Sequence, residues 1–226
     1  MSKDAKTEEK LHGAPAVRRE IYDWVETFCT ALFAVVLIFT FAVRFVTVDG
    51  ESMMNTLHDH DRLIITSTPY TPKRGDIVVV HDLEERGFYG TFSGPIIKRV
   101  IATEGETVSI DYENWQVTVT GVDGSKTVLD ESEYVNFQEF ARIPSPEVYP
   151  DSLQPLTEHT VAKGCVFVCG DNRNNSLDSR YVGDIDKRKI LGKVLVRLMC
   201  GSKEAMQAHG KNPFWDFGIV HGINGK

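Results

Sequence analysis

Residues 27–46 read TFCTALFAVVLIFTFAVRFV, with a single charge, Arg44, close to the end. At about 1.5 Å per residue a helix through this run covers a hydrocarbon core roughly 30 Å thick, and Tyr22 and Trp24 stand where aromatic side chains anchor at a membrane interface. A cleaved signal peptide would have a shorter apolar region followed by small residues, whereas here bulky Arg44, Phe45 and Val46 close the run. A transmembrane helix is therefore expected over residues 22–47. Five basic side chains lie in residues 1–20 and only Arg62 in residues 45–64, so residues 1–21 are expected to stay cytoplasmic and everything after residue 47 to lie outside.

The balance of the 226-residue chain bounds what that outer part can be. A formal charge of -7 and a pI near 5.5 argue against nucleic acid as a partner, since phosphate binding requires clustered Lys and Arg. The four cysteines, Cys29, Cys165, Cys169 and Cys200, are too few and too scattered for a disulfide framework. Free thiols and no metal site are expected.

Beyond residue 47, β-branched runs recur between turn signals: Leu63 to Thr66, Asp76 to Val80, Ile96 to Ile101, Thr107 to Ile110, Trp115 to Thr120, His159 to Val161, Cys165 to Cys169 and Ile190 to Leu198. Gly121 to Lys126, GVDGSK, reads as a hairpin turn leading into Thr127 to Leu129. Residues 130–156 are rich in Glu, Pro and Ser and read as loop. The expected organisation is one mainly β domain over residues 48–200, with an insertion at about 111–160, and a tail over 201–226 to which the sequence assigns no role.

Four short segments in this domain carry chemistry. They are Val48 to Leu57 (VDGESMMNTL), Gly75 to Val80 (GDIVVV), Lys98 to Glu106 (KRVIATEGE) and Gly170 to Arg180 (GDNRNNSLDSR). In this order, behind an N-terminal anchor, they resemble the conserved boxes of bacterial type I signal peptidases, and the resemblance runs from about Trp24 to Leu198. Asn55 stands where that family commonly has proline, and Ala102 to Glu106 departs from the family's pattern while keeping Gly105.

The resemblance implies a signal-peptidase-like β-sheet domain in which Ser52 is the nucleophile and Lys98 its general base. A serine hydroxyl is a poor nucleophile until a neighbouring base takes its proton. A lysine at the reference pKa of about 10.4 costs roughly 4.6 kcal/mol to neutralise at pH 7, so burial has to lower it. Pro95-Ile96-Ile97 before Lys98 and Val100-Ile101 after it suit burial. By matching position, Ser176 would hydrogen-bond the lysine amine and orient it, Asp178 with Arg180 and Asp171 with Arg99 would form supporting ion pairs, and Met53 and Leu57 would help to line small apolar substrate pockets. The Ser52 N–H would donate to the oxyanion; Gly50 offers no side-chain donor. No cofactor enters this chemistry.

Rival readings fit less well. A penicillin-binding enzyme needs lysine three residues after its serine, where this chain has Asn55. A self-cleaving repressor peptidase needs a DNA-binding region where the apolar run stands, and a silent binding domain has no use for Ser52, Lys98 and Ser176 together. The acidic run after Gly170 fails as a calcium loop, because its third, sixth and twelfth positions from Asp171 are Arg173, Ser176 and Val182. His58 and His60 read as exposed loop residues. The expected partners are exported preproteins, cut after small residues at an Ala-X-Ala type site, and the lipid bilayer; the chain is expected to act as a monomer in the cell membrane.

Overall fold

The computed structural model describes residues 5–41, 43–54, 56–66, 70–81, 94–135, 155–199 and 218–219, and falls into two units, residues 1–43 and 44–226. The first is a single helix, α1 (Ala5–Phe41). Its segment Val17–Thr40 is long and apolar enough to cross a membrane, and none of it is buried within the protein. Trp24, Phe28 and Phe33 are each more than half exposed, and from Thr27 to Thr40 the helix carries no charged side chain on any face.

The boundaries differ from the expected 22–47. The helix extends further toward the N-terminus and stops at Phe41, and Val43–Thr47 is a strand, β1. The apolar run is thus shared between two elements. Val43, Phe45, Val46 and Thr47 are β-branched or aromatic, and β2 (Arg62–Thr66) gives β1 a ladder to join.

The second unit holds two sheets. The larger adds β3 (Ile77–Val80), β4 (Ile96–Thr103), β9 (Cys165–Cys169), β10 (Ile185–Asp186), β11 (Ile190–Met199) and β12 (Gly218–Ile219) to β1 and β2. Its order is β1-β2-β11-β3-β4-β9-β10, with β12 on β11. In the smaller sheet the order is β7-β6-β5-β8, from β5 (Thr107–Asp111), β6 (Gln116–Thr120), β7 (Lys126–Val128) and β8 (Glu158–Thr160). The stretch at about 111–160 that reads as an insertion is therefore, in its described parts, most of a second sheet. Residues 136–154, Asn55, Cys200, and residues 201–217 and 220–226 of the tail lie outside the described residues.

The run Ile77-Val78-Val79-Val80 is buried throughout because β3 lies in mid-sheet with apolar clusters on both faces. Ile77 and Val79 pack with Val48, Met53, Leu57, Leu63, Ile65, Ile97 and Val194. Val78 and Val80 pack with Val100, Val166, Val168, Leu177, Val182 and Ile185. A register shift between Val100 and Ala102 bends β4, so that Ile101 and Ala102 join Val108, Ile110, Val117 and Val119 of the second sheet. One strand thereby carries both the centre of the large sheet and its junction with the small one.

Gly192 in β11 is a point where this packing admits no side chain. It pairs with Val79 at a register shift, and a Cβ there would sit 1.9 Å from the Thr66 carbonyl oxygen. Gly192→Ala must push backbone away from backbone and is expected to cost about 1–3 kcal/mol, read by denaturant unfolding of the full chain in detergent. Val128→Ala, at a side chain 54% exposed on β7, is the control expected to change little.

Candidate active site

The loop from Val48 to Asp61 is closed at its base by Val48 N–H to Asp61 O (2.8 Å) and His60 N–H to Val48 O (2.9 Å). Inside it, Thr56 and Leu57 donate to the Met53 carbonyl at 3.1 and 2.9 Å, making one tight turn. Met53 and Leu57 are buried in the core, at 1% and 0% exposure. Both side chains fasten the turn to the core cluster that contains Ile77 and Val79. Gly50, with φ of 96°, gives its N–H to Asp59 Oδ1 at 2.9 Å, and a residue with a Cβ would be strained there. His58 is only partly buried, while His60 is exposed and faces Asp59 at 3.2 Å.

Ser52 is half-buried at the head of this turn, and Lys98 meets it from β4. The Lys98 Nζ lies 2.6 Å from Ser52 Oγ and donates to the Ile97 carbonyl at 3.0 Å. Lys98 is paired with Val78, and one step beyond the Arg99–Cys169 pair the register brings Gly170 opposite it. At 3% exposure the amine is held away from water. Burial pushes its pKa down from 10.5 to about 8, against the upward pull of Asp178 and Asp171 and with the help of Arg180. About a tenth of the amine is then neutral at pH 7, and the cost of neutralising it falls from about 5 to about 1 kcal/mol.

The loop after β9 packs directly on Ser52. A Cβ on Gly170 would lie 2.2 Å from Ser176 Oγ and 2.4 Å from the Ser52 carbonyl oxygen, so the missing side chain is the space in which the two loops meet. Asn172 clasps the contact, its N–H donating to Ser52 O at 3.0 Å and its Nδ2 to Glu51 O at 3.1 Å. Neither role was visible in the sequence, because both depend on a partner more than a hundred residues away.

Ser176 differs from the expectation. Its hydroxyl donates to Asp178 Oδ2 at 2.7 Å, not to Lys98; a carboxylate two residues away is the stronger acceptor. Asp178 also accepts from Gly170 N–H at 2.9 Å and from Arg180 Nε and Nη2, both at 2.8 Å. Burial alone would raise this carboxyl, but the Arg180 guanidinium, the Ser176 hydroxyl and the Gly170 N–H outweigh it and hold it below its ordinary value. Asp178 further caps the short helix α2 (Ser179–Val182) by accepting the Arg180 N–H.

The second expected pair is also formed. Arg99 Nε and Nη2 reach Asp171 Oδ1 and Oδ2 at 2.8 and 2.7 Å, Arg99 Nη1 donates to Gly75 O at 3.1 Å, and Thr56 Oγ1 donates to Asp171 at 2.5 Å. A third buried pair, Arg173 with Glu131, had no signal in the sequence. The Ser52 N–H bonds to no atom of the described residues. Chemically, the arrangement joins a hydroxyl to an amine that is basic near neutral pH.

The sequence matches the family described as signal peptidase, peptidase S26, over residues 21–199. Similar proteins include signal peptidase I P of Bacillus subtilis subsp. natto, 32% identical over 182 residues that cover 77% of this chain and 87% of that one. Probable signal peptidase I-2 of Synechocystis is 34% identical over 183 residues, covering 77% and 72%, and signal peptidase IB of Staphylococcus aureus is 29% identical over 190 residues, covering 80% and 91%.

A titration of Lys98, followed by NMR of a selectively labelled lysine side chain, is expected to give a midpoint near pH 8. Asp178→Asn removes a charge that favours the ammonium form and should lower that midpoint. A midpoint near 10.5 in the parent would mean that the amine is solvated.

Proposed function

The chain belongs to the signal peptidase family, peptidase S26, a family of serine peptidases that remove signal peptides from preproteins, and from that premise we propose that it cuts exported preproteins with Ser52 as nucleophile and Lys98 as general base. The observation that carries this reading is the 2.6 Å approach of a buried lysine amine to the Ser52 hydroxyl. In the neutral form the Lys98 nitrogen has a lone pair to accept the Ser52 proton as Oγ attacks the scissile carbonyl carbon. The tetrahedral oxyanion is met by the Ser52 N–H. Collapse expels the new amine, which takes the proton back from the Lys98 ammonium, and leaves an acyl group on Ser52. Water, deprotonated by the same lysine, then releases it.

Asp178 and Arg180 act in this scheme on the position and proton affinity of Lys98 and do not exchange protons with the substrate. Asp171 and Arg99 hold the Thr56 end of the Ser52 turn. Ser176 acts through Asp178, fixing the loop that supports Ser52. Cleavage after small residues, of the Ala-X-Ala type, is the specificity that the family resemblance suggests; a sterically tight site discriminates by excluding larger side chains.

The apolar helix over Val17–Thr40 supports anchoring in the cell membrane as a single pass. The basic residues before it favour a cytoplasmic N-terminus and an extracytoplasmic catalytic unit. A monomer suffices, since the dyad and its supports come from one chain.

A model preprotein with an Ala-X-Ala site, incubated in detergent with the full chain, should be cut after the final alanine, while folded Ser52→Ala and Lys98→Ala variants are silent. Its kcat/KM should climb as pH rises through about 8, because the active form is the deprotonated amine. Gly170→Ala should fold and lose kcat by about a hundredfold, since displacing Ser52 by a fraction of the methyl's clash breaks its alignment with Lys98. An inert parent, or a Lys98→Ala variant with parental rate, rejects the assignment.

A further inference from the structure

Glu131 follows β7 and lies only 2% exposed, and Arg173, from the loop after β9, is 3% exposed. They form a fork, with Arg173 Nη1 donating to Glu131 Oε2 at 2.8 Å and Nη2 to Oε1 at 2.5 Å. The remaining Arg173 nitrogen, Nε, donates to the Gly170 carbonyl at 3.0 Å. Glu131 is fixed from its own side: Tyr134 OH donates to Oε1 at 2.7 Å, and Tyr134 and Val135 N–H groups donate to its carbonyl at 3.2 and 2.9 Å. Tyr134 also carries the Arg99 guanidinium over its ring, 4.1 Å from the centroid.

A buried ion pair is weak evidence for stability, because an apolar pair of similar volume often does as well. Direction is what the fork supplies. Glu131 engages two of the three guanidinium nitrogens in a fixed plane, which leaves Nε aimed at the carbonyl of Gly170. That residue touches both Ser176 and the Ser52 carbonyl, and the same loop clasps Ser52 through Asn172. We propose that Glu131 and Arg173 are a positioning pair for the peptidase reaction, through which the segment following β7 holds the Gly170 turn, and with it Ser52, in register with Lys98. This rests on the reading of Ser52 as nucleophile. Neither residue touches the reacting atoms, and the largest influences on the basicity of Lys98 are burial and the charges of Asp178, Arg180 and Asp171.

Glu131→Gln keeps the shape of the side chain and removes the charge that fixes the guanidinium. With the full chain in detergent, kcat on the model preprotein should fall about 10- to 100-fold, with KM unchanged and the rise of kcat/KM still centred near pH 8. Amide hydrogen exchange over residues 48–57, which needs no turnover, should quicken. The paired variant Glu131→Met with Arg173→Met buries no uncompensated charge, so it remains informative if the single variant does not fold; lacking the Nε contact, it should show the same loss of kcat. Parental kcat in the folded Glu131→Gln protein, or recovery of kcat by the double variant, would overturn the proposal, as would a shift of the pH midpoint that accounts for the loss. Ser52→Ala beside these variants separates the two claims. If it retains activity, the peptidase assignment fails, and exchange over residues 48–57 alone decides whether the pair positions that loop.

Discussion

The second unit is organised around a lysine amine kept from water, that of Lys98 beside the Ser52 hydroxyl. Burial is the largest cause of the fall of the lysine pKa to about 8 and Arg180 adds to it, while the nearby carboxylates of Asp178 and Asp171 oppose that shift. Left unpaired, those carboxylates would raise the amine further and bring water in with them. Each is therefore matched by an arginine, Arg180 and Arg99, in bidentate geometry. The two ion pairs let charged groups lie beside the lysine without restoring its proton.

The same pairs decide where the two loops go. Asp178 gathers Gly170 N–H, Ser176 and Arg180 around one carboxylate, while Asp171 draws Thr56 of the Ser52 turn toward β4. Between them Gly170 leaves room for direct contact. The carboxylate of Asp178 thus serves electrostatics and architecture together, which is why the Ser176 hydroxyl turns to it and not to the amine.

The sheet supplies what these loops cannot: a rigid reference. β3 is buried on both faces, and β4 pairs with it in plain register from Ile96 to Arg99, so Lys98 has little freedom to move. The bulge beyond Val100 hands the strand over to the second sheet, and the segment after β7 returns Glu131 and Tyr134 to the site. The part of the chain that reads as an insertion is joined to the site by this path.

Much of this was legible in the residues. Local β-branched runs marked nearly every long strand, since period and propensity act over a few neighbours, and Asp178 and Arg180 lie close enough in sequence to be paired by eye. Ser52 and Lys98 were legible as a resemblance of spaced boxes, not as geometry. What the sequence determined by itself was therefore the long apolar segment near the N-terminus, the mainly β character and the candidate residues, because each is written in contiguous or near-contiguous side chains. Tertiary structure alone decided that the apolar run ends as a strand, that Met53 and Leu57 are core, that Ser176 serves Asp178, and that Glu131 meets Arg173. Those outcomes depend on which partner arrives from a distant part of the chain, and packing and electrostatics choose that partner only once the sheets have closed.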